Sequence, residues 1–508
     1  MPMRDKINFR FLLFVFATTI FSGFAFTLSS YIHLSVAGLK YWILTIGHFM
    51  FVMLGCFVLY YFMAINRYLF AVVFPIVVLV TSIIAYFVYF QNVSFTTSIL
   101  DAALHNDLRT SLDTIAIPLL LFCAASLAVS AVAVIYRFKL VTYKFKLLEL
   151  TAVCIIGLSI FEVNQLRYKT ISHRLPFSIY YVSKKYIGEL KNENKPRIEV
   201  GTDAYCTSDT ITVVLVIGEA ARADHFQLNG YRRATNPLLN KLPVVSYPHI
   251  YSEWTHTNLS LAHFLTRSDS VNHEPAVTEC SFINIFNRCG FATTWIANQE
   301  PAPSYMPFVK EAKKVIYVNP SFSVYSYNKK WLDADDLPYL DQALNNTAPR
   351  KLIIIHTIGS HWWYNDHFTD STTIFKPILE TKNIALTSSD EIINSYDNTL
   401  VYTDYFLSKV ICRLSLLNAC MIYLSDHGES LGENGKWLHA QGDEPEKHPA
   451  CVLWFSKKYI NQQPKSYANI VANKNKKWRT DFVFHSILSI GGINSHSMVE
   501  GTDITHLK

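Results

Sequence analysis

Long, nearly unbroken apolar segments occupy the first third of the chain. Each of the first four is long enough to cross about 30 Å of hydrocarbon as an α-helix. These segments are Phe11–Ile32, Tyr41–Met63, Tyr68–Phe90 and Ile115–Tyr136, and a fifth, Leu147–Phe161, is shorter and marginal. A packed soluble core would explain one such segment, but not four joined by short connections. The pattern therefore predicts an N-terminal α-helical transmembrane bundle of about five spans.

The basic residues around these segments predict the orientation of the bundle. Lys and Arg in short loops tend to remain on the cytoplasmic side of a membrane. They precede the first segment or follow the second and the fourth: Arg4, Lys6, Arg10, Arg67, Arg137, Lys139, Lys144 and Lys146. The N-terminus is therefore expected in the cytoplasm and, with five spans, the chain after about Asn164 outside it. A cleaved signal peptide is disfavoured because the first segment is too long and further spans follow.

The pattern changes twice after the spans. Residues 164–205 mix basic with aromatic and aliphatic residues, which is typical of helices at a membrane–water interface, although an ordinary solvated linker would look similar. Beyond them, short β-branched runs alternate with helix-like stretches such as Glu391–Leu416, as in a mainly parallel sheet covered on both faces. The predicted strands are Ile211–Ile217, Ala292–Ala297, Lys351–His356, Ala419–Leu424 and Cys451–Phe455. The predicted domains are a transmembrane bundle (residues 1–163), interfacial linker helices (164–205) and an exported α/β domain (206–508).

Composition and charge change this division little. Half of the 508 residues are hydrophobic, and the formal net charge of +6 is compatible with an anionic membrane surface. We find no nucleic-acid-binding motif. Of the nine cysteines, six lie in the exported part, where an oxidising compartment permits disulfides. Cys280 with Cys289 and Cys412 with Cys420 are close enough in sequence to pair, and buried free thiols are the alternative.

Residue types that bind metals collect where the predicted strands end. Functional groups in such sheets gather just beyond the carboxyl ends of the strands. The residues found there are Glu219, His356, His361, Asp426 and His427, with His439 a short way on. One carboxylate after a strand is more often a helix cap or a surface charge, but three strands that end this way favour a metal site. Glu, Asp and His all bind zinc, and a catalytic zinc leaves one position for a reacting group.

That reacting group is expected to be a hydroxyl. The segment SEWTHTNLSLAHFLTR places Thr255 and Thr257 just before a helix-like run, and exposed N–H groups at a helix N-terminus favour a phosphate. Helix capping is the alternative role for either threonine, and spacing alone favours it. A divalent metal would lower the pKa of a coordinated hydroxyl and supply an alkoxide nucleophile.

Four motifs together resemble one enzyme family. They read VVLVIGEAARADHFQLNGYRRATNP, HTIGSH, SYDNTLVYTDYFL and SDHGESLGENGKWLH. The combination resembles the phosphoethanolamine transferases of Gram-negative inner membranes, a family that includes the lipid A modifying enzymes behind polymyxin resistance. These belong to the alkaline phosphatase and sulfatase superfamily. The resemblance implies five spans, a periplasmic sulfatase-like catalytic domain and bound zinc.

The resemblance also implies roles for single residues. The zinc ligands that it implies are Glu219, Thr257, Asp426 and His427, with Thr257 also the nucleophile. His361 and His439 match histidines that contact the transferred phosphate or a second zinc. In the outward loop between the third and fourth spans, Asn106 and Thr110 resemble residues that hold the lipid headgroup, although the following acidic residue, Asp113, is offset by one. A plain solvated loop is the alternative there.

The chain departs from the family pattern in three places. The family nucleophile lies in a pattern like CGTSTA, whereas this chain has EWTHTN and shares only the two threonines. HTIGSH is followed by Trp362 and Trp363 where the family usually has Gly-Pro or a similar pair. The loop after His439 is also shorter than usual. The first departure leaves Thr255 as an alternative to Thr257. The two tryptophans predict a different pocket rim, and the shorter loop is expected to alter the acceptor.

The implied reaction has two steps. Thr257 attacks phosphatidylethanolamine and releases diacylglycerol, and the phosphoethanolamine then passes to lipid A or another lipopolysaccharide or envelope glycan. His361 and His439 would stabilise phosphoryl oxygens or protonate a leaving group. The nearest alternatives are a membrane-anchored phosphoglycerol transferase and a phosphatase or phosphodiesterase of the same superfamily. A transporter is disfavoured because the spans carry few charges.

Overall fold

The computed structural model describes residues 8–32, 39–91, 95, 97, 100, 104, 117–139, 142–166, 171–172, 174–193, 195–299, 304–318, 330–381, 384 and 387–507. The chain forms two compact units. The helical unit contains residues 1–100 and 111–186, and the sheet unit contains residues 101–110 and 187–508. Asn106, Thr110 and Asp113 lie outside the described residues.

The helical unit is built from long apolar helices. The helices up to the sheet unit are α1 (Phe9–Ser22), α2 (Ser29–Ile32), α3 (Leu39–Ile65), α4 (Arg67–Gln91), α5 (Ile117–Lys139), α6 (Leu147–Leu166) and α7 (Phe177–Glu193), with a π-helical turn, Gly23–Thr27, before α2. Within the described part of the chain, four segments are long and apolar enough to cross a membrane: Phe9–Thr27, Trp42–Ile65, Arg67–Phe90 and Ile117–Lys139. The 20-residue α6 lies where the marginal fifth segment was predicted. The predicted bundle is therefore confirmed.

Polar side chains join helices within this unit. Arg137 of α5 donates from Nε to the Ala64 carbonyl at 2.7 Å, which satisfies an acceptor that the end of α3 leaves free. The Glu149 carboxylate of α6 accepts the Asn8 backbone N–H (2.8 Å) and the Tyr61 hydroxyl (2.9 Å). All of these residues lie at or beside helix ends that the distribution of basic residues predicts to be on the cytoplasmic side.

A seven-stranded sheet forms the centre of the sheet unit. The strands are β1 (Tyr205–Cys206), β2 (Ile211–Gly218), β3 (Val244–Ser246), β4 (Ile250–Tyr251), β5 (Ala292–Ala297), β6 (Lys314–Tyr317), β7 (Arg350–His356), β8 (Ala419–Ser425), β9 (Ser430–Leu431), β10 (Trp437–Leu438), β11 (Cys451–Phe455), β12 (Trp478–Arg479) and β13 (Ile493–Asn494). The central order is β3-β11-β8-β2-β7-β5-β6. Its pairs are parallel from β8 to β6, whereas β11 is antiparallel to both of its neighbours. The predicted mainly parallel sheet is thus confirmed as a mixed sheet.

Helices cover both faces of this sheet. They are α8 (Thr257–Leu265), α9 (Pro275–Thr278), α10 (Phe282–Arg288), α11 (Met306–Val309), α12 (Leu337–Leu344), α13 (Ser389–Leu414), α14 (Lys457–Gln462), α15 (Pro464–Asn473) and α16 (Phe482–Ile490). Alternate residues of β2 enter two separate apolar clusters: Leu215 and Ile217 enter one, and Val214 and Val216 enter the other. Because β2 is buried on both faces, its sequence is a continuous apolar run.

The nine cysteines all lie at described positions, and all are free thiols. The pairs considered from the sequence, Cys280 with Cys289 and Cys412 with Cys420, are therefore not joined. Cys289 and Cys420 are buried, so they pack as small apolar residues.

Candidate active site

Parallel register brings the ends of neighbouring strands to one edge of the sheet. β2 pairs with β8 so that Gly218 lies opposite Ser425. Glu219 and Asp426 each follow these residues directly and therefore leave the sheet side by side. β7 flanks β2 on its other side, so the loop that carries His361 begins at the same edge.

Thr257 reaches this edge from the first position of α8. The preceding residue, His256, is extended, so the helix begins at Thr257. The Thr257 hydroxyl donates to Glu219 Oε2 at 3.0 Å. Thr255 is buried beside it, and its carbonyl accepts the Ala440 N–H at 2.9 Å. Of the two candidate threonines, Thr257 is thus the one whose hydroxyl is bonded to Glu219.

Three buried atoms meet in front of this hydroxyl. Within the described residues, Glu219 Oε1, Asp426 Oδ2 and His427 Nε2 have no hydrogen-bond partner. His427 Nε2 lies 3.4 Å from each of the two oxygens. A buried polar atom without a partner is costly, and a divalent cation would satisfy all three atoms at once. His439 joins the group, because one ligand atom each of Glu219, His427 and His439 lie within 4.8 Å of one another. The residues present therefore fit a bound metal ion.

The imidazole rings are oriented so that each keeps Nε2 for the site. His427 Nδ1 bonds the Gly428 carbonyl at 2.7 Å, and His361 Nδ1 bonds the Trp362 carbonyl at 2.5 Å. A carbonyl only accepts, so both Nδ1 atoms carry the proton and donate it. His439 Nδ1 donates to the Glu429 carboxylate at 2.8 Å. The His439 ring centre lies 4.4 Å from that of His427 and 6.4 Å from that of His361.

The buried charges of this cluster shift one another's pKa values. Burial by itself would raise the pKa of Glu219, but His427, His361 and His439 together hold it well below its ordinary value. Burial and the Glu219 charge raise the pKa of Asp426 to about 7. Burial would lower the pKa of His427, but Asp426 and Glu219 raise it to about 10. Two adjacent buried carboxylates thus require positive charge, which a proton or a metal cation supplies.

Two further residues complete the site, and the sequence analysis assigned a role to neither. Gln299, two residues beyond β5, donates from Nε2 to Glu219 Oε2 at 2.8 Å. Glu429 is fully buried and accepts the Tyr364 hydroxyl at 2.7 Å on the oxygen that does not bond His439. The strand-end rule could have found Gln299, since β5 was a predicted strand. An amide is not a typical zinc ligand, however, so the metal-ligand pattern does not point to Gln299.

Two residues named in the sequence analysis, His356 and Trp362, lie in or against the apolar core rather than in the site. His356 is fully buried between the Trp295 and Tyr305 rings, and in the described structure neither ring nitrogen has a hydrogen-bond partner. Burial lowers its pKa to about 4, so the ring is neutral and belongs to the core. Trp362 packs against the apolar cluster beside Tyr364, with ring centres 5.1 Å apart.

The chain matches proteins of known family and structure. A family profile described as Sulfatase matches residues 211–493. Phosphoethanolamine transferase EptA of Escherichia coli K12 is 28% identical over 364 residues, which cover 68% of this chain and 65% of that relative, just under two thirds of its length. The solved structure of the integral membrane protein lipooligosaccharide phosphoethanolamine transferase A (EptA) from Neisseria meningitidis has a TM-score of 0.81 at 25% identity, covering 97% of this chain and 98% of that one.

A third match concerns the sheet unit only. The C-terminal periplasmic domain of EptC from Escherichia coli, solved in complex with Zn, has a TM-score of 0.55 at 22% identity and covers 61% of this chain and 90% of that one. At this identity the likeness is one of fold. The matches together confirm the predicted fold class, membrane-spanning helices followed by a sulfatase-like α/β unit. They also confirm the resemblance to phosphoethanolamine transferases.

Proposed function

The chain belongs to the sulfatase family, and from this we propose that it transfers phosphoethanolamine from phosphatidylethanolamine to lipid A or another lipopolysaccharide or envelope glycan. In this proposal a zinc ion is held by Glu219, Thr257, Asp426 and His427. Thr257 is the nucleophile that carries the phosphoethanolamine between donor and acceptor. The names of the matched relatives, including a transferase and a domain crystallised with Zn, support this choice of reaction and metal.

One observation carries the proposal: the Thr257 hydroxyl lies beside three converging buried atoms that have no partner among the described residues. A hydroxyl at the first position of a nine-residue helix also lies next to the first backbone N–H groups of that helix, which have no acceptor within the helix. These groups favour an anionic phosphoryl group in front of Thr257. The site thus combines a nucleophile, ligands for a cation and a cradle for a phosphate.

The first step forms a phosphothreonine. A zinc ion held by Glu219, Asp426 and His427 would lower the pKa of the Thr257 hydroxyl and neutralise charge on the phosphoryl oxygens. Thr257 Oγ1 attacks the phosphorus of the donor, and the bond from phosphorus to the diacylglycerol oxygen breaks. In this proposal His361 or His439 takes up on Nε2 the proton that Thr257 loses and delivers it to the diacylglycerol oxygen.

The second step returns Thr257 to its starting state. An acceptor hydroxyl or phosphate attacks the phosphothreonine, and Thr257 leaves with a proton. The donor is a bilayer lipid, which accounts for the spans. We place the chain in a bacterial inner membrane with a cytoplasmic N-terminus, a bundle of residues 1–163, interfacial helices in 164–205 and a periplasmic catalytic domain of 206–508. Asn106 and Thr110 are proposed to bind the donor headgroup from the outward loop.

Intact-mass measurement tests the nucleophile and the donor together. Full-length protein is incubated with phosphatidylethanolamine and zinc but without an acceptor. We expect the wild type to gain the mass of one phosphoethanolamine, and the Thr257→Ala variant to gain nothing. Thr255→Ala is the matched control, since it removes a neighbouring buried hydroxyl that is not bonded to Glu219.

The other outcomes are equally informative. An adduct that survives Thr257→Ala and disappears with Thr255→Ala would show that the nucleophile is assigned to the wrong threonine. Release of diacylglycerol with no adduct on any form would favour a phosphatase or phosphodiesterase of the same superfamily. An adduct of glycerol phosphate from phosphatidylglycerol would favour a phosphoglycerol transferase.

A further inference from the structure

The side-chain amide of Gln299 has two partners that can only accept hydrogen bonds. Its Nε2 donates to Glu219 Oε2 at 2.8 Å and to the Thr357 carbonyl at 3.0 Å. Neither a carboxylate nor a carbonyl can donate, so the amide must present its nitrogen to both of them. Gln299 is only 9% exposed, so water does not readily replace these bonds.

The two oxygens of Glu219 are used differently as a result. Oε2 accepts two bonds, from Gln299 Nε2 and from the Thr257 hydroxyl. Oε1 accepts none within the described structure and lies 3.4 Å from His427 Nε2. We infer that Gln299 is a positioning residue, which fixes the rotation of the Glu219 carboxylate so that Oε1 faces the metal ion. This inference rests on the zinc site of the proposed function.

Gln299 is the partner of Oε2 that persists through the reaction. The bond from Thr257 requires its hydroxyl hydrogen, which is lost when Thr257 becomes phosphorylated. From that point Gln299 alone, of the two donors, holds Oε2. Without it, the Glu219 carboxylate would be free to rotate at the stage when the phosphothreonine must be kept in place.

Gln299 is itself anchored to the centre of the sheet. Its second partner, Thr357, donates from its backbone N–H (3.0 Å) and from its hydroxyl (2.9 Å) to the Ile217 carbonyl of β2. Glu219 lies two residues after Ile217, directly beyond the end of β2. The Gln299 amide is therefore linked through Thr357 to the same strand, β2, that Glu219 directly follows.

The neutral charge of the amide suits this role. A lysine or arginine at position 299 would also donate to Glu219, but its positive charge would repel the metal cation. An amide supplies the donor without the charge. Groups that orient a metal ligand in this way typically change metal affinity or activity by about 10- to 100-fold when removed.

The test measures zinc affinity rather than turnover. Full-length protein in detergent is stripped of metal and titrated with zinc against a competing chelator. Gln299→Met keeps the length of the side chain without a donor, and we expect zinc binding to weaken by about 10- to 100-fold.

Asn287→Leu is the matched control, because it also removes a hydrogen-bonded side-chain amide, here on α10, whose partner Thr293 lies at the other end of β5. The Asn287 amide bonds the Glu311 carbonyl and the Thr293 hydroxyl, on the amino-terminal side of the strand. We expect its zinc affinity to equal that of the wild type. The melting temperature of each metal-free variant is measured alongside.

The outcomes separate the inference from the proposed function. Equal zinc affinity in the wild type and Gln299→Met would overturn the positioning role while leaving the zinc site intact. A metal-free Gln299→Met that melts far below Asn287→Leu would assign the loss of zinc to unfolding and would also overturn it. A wild type that binds no zinc would instead overturn the metal mechanism of the proposed function.

Discussion

The properties of single residues in this site depend on which atom each side chain leaves free. Asp426 Oδ1 accepts two backbone N–H groups, from Ala220 at 3.2 Å and from His427 at 2.8 Å, so that Oδ2 is the atom left for a cation. The histidine rings donate from Nδ1 and keep Nε2. Because these hydrogen bonds already fix the side chains, metal binding costs less side-chain conformational entropy.

His485, a buried residue of α16, should make the stability of the protein depend on pH. Its Nδ1 accepts the Val499 N–H at 3.1 Å, which requires an unprotonated nitrogen, and burial lowers the pKa of the ring from 6.5 to about 4. The unfolded chain therefore binds a proton between these values that the folded chain does not. The stability that neutral His485 contributes at neutral pH is therefore lost as the pH falls from 6.5 to about 4. The loss reaches roughly 2 kcal/mol at about pH 5.

His485→Gln keeps an acceptor for Val499 but cannot titrate. We expect its melting temperature to fall less than that of the wild type between about pH 7.5 and about pH 5, by about 2–4 °C for each kcal/mol. His496→Gln, at a side chain that is 99% exposed, should melt in parallel with the wild type. Parallel melting of all three proteins would show that His485 does not titrate in this window.

At the scale of elements, the loop after β7 is held against the residues that carry the site. The Asp333 carboxylate accepts the N–H groups of Ile358 (3.0 Å) and Gly359 (3.1 Å), and the Ser360 N–H donates to the Glu219 carbonyl at 3.0 Å. The loop therefore packs directly on the backbone of Glu219. A change in the shape of this loop should therefore shift Glu219 and weaken metal binding.

Gly359 tests this coupling because it has a positive φ of +50° and faces Glu219. A Cβ at this position would lie 2.8 Å from the Glu219 backbone nitrogen, too close for any ordinary contact. We expect Gly359→Ala to displace Glu219 and to weaken zinc binding by at least about tenfold, the lower limit for losing an orienting contact. Zinc titration of the full-length protein measures the effect.

Gly230→Ala is the control for backbone strain alone. Gly230 also has a positive φ, +98°, but nothing lies within 4 Å of the position of its added Cβ. This variant should lose about 1 kcal/mol of stability and keep its zinc affinity. If both glycine variants lose zinc equally, general destabilisation rather than contact with Glu219 is the cause.

The strands that could be predicted from the sequence are those buried on both faces, because such strands appear in the sequence as continuous apolar runs. β2, β5, β7, β8 and β11 were all located to within one or two residues, since each is covered on both faces or nearly so. The edge strands β3 and β6 were not predicted, because strands of three or four residues carry too little pattern. Glu219 and Asp426 do follow the ends of β2 and β8, as the strand pattern predicts, and their role as metal ligands stays a prediction.

The contacts between side chains in the site could not be predicted as well as the positions of the strands. The choice between Thr257 and Thr255 depends on which hydroxyl meets Glu219, and helix-start signals alone do not decide it. Gln299 lies 80 positions from Glu219 in the chain, and its role depends on the rotation of one carboxylate. Such details arise from contacts between distant segments, which motif spacing does not record.

At the scale of the whole molecule, the chain combines two units that bury separate cores. The helical unit has its own apolar cluster, which includes Phe14, Phe26 and Phe74, and the sheet unit has two clusters around its sheet. The residues proposed to hold zinc all belong to the sheet unit. Metal binding and lipid delivery should therefore be separable.

Residues 195–508 produced alone provide the test of this separation. Because this part carries both apolar clusters of the sheet, we expect it to fold and to bind zinc with the affinity of the full chain. Its transfer from phosphatidylethanolamine in vesicles should fall by about two to four orders of magnitude, since the spans no longer hold it at the donor surface. Its cleavage of a water-soluble phosphoethanolamine ester should remain within a few-fold of the full chain. Equal loss with both substrates would show instead that the helical unit is needed for the chemistry itself, whereas equal retention would show that the spans contribute nothing to donor capture.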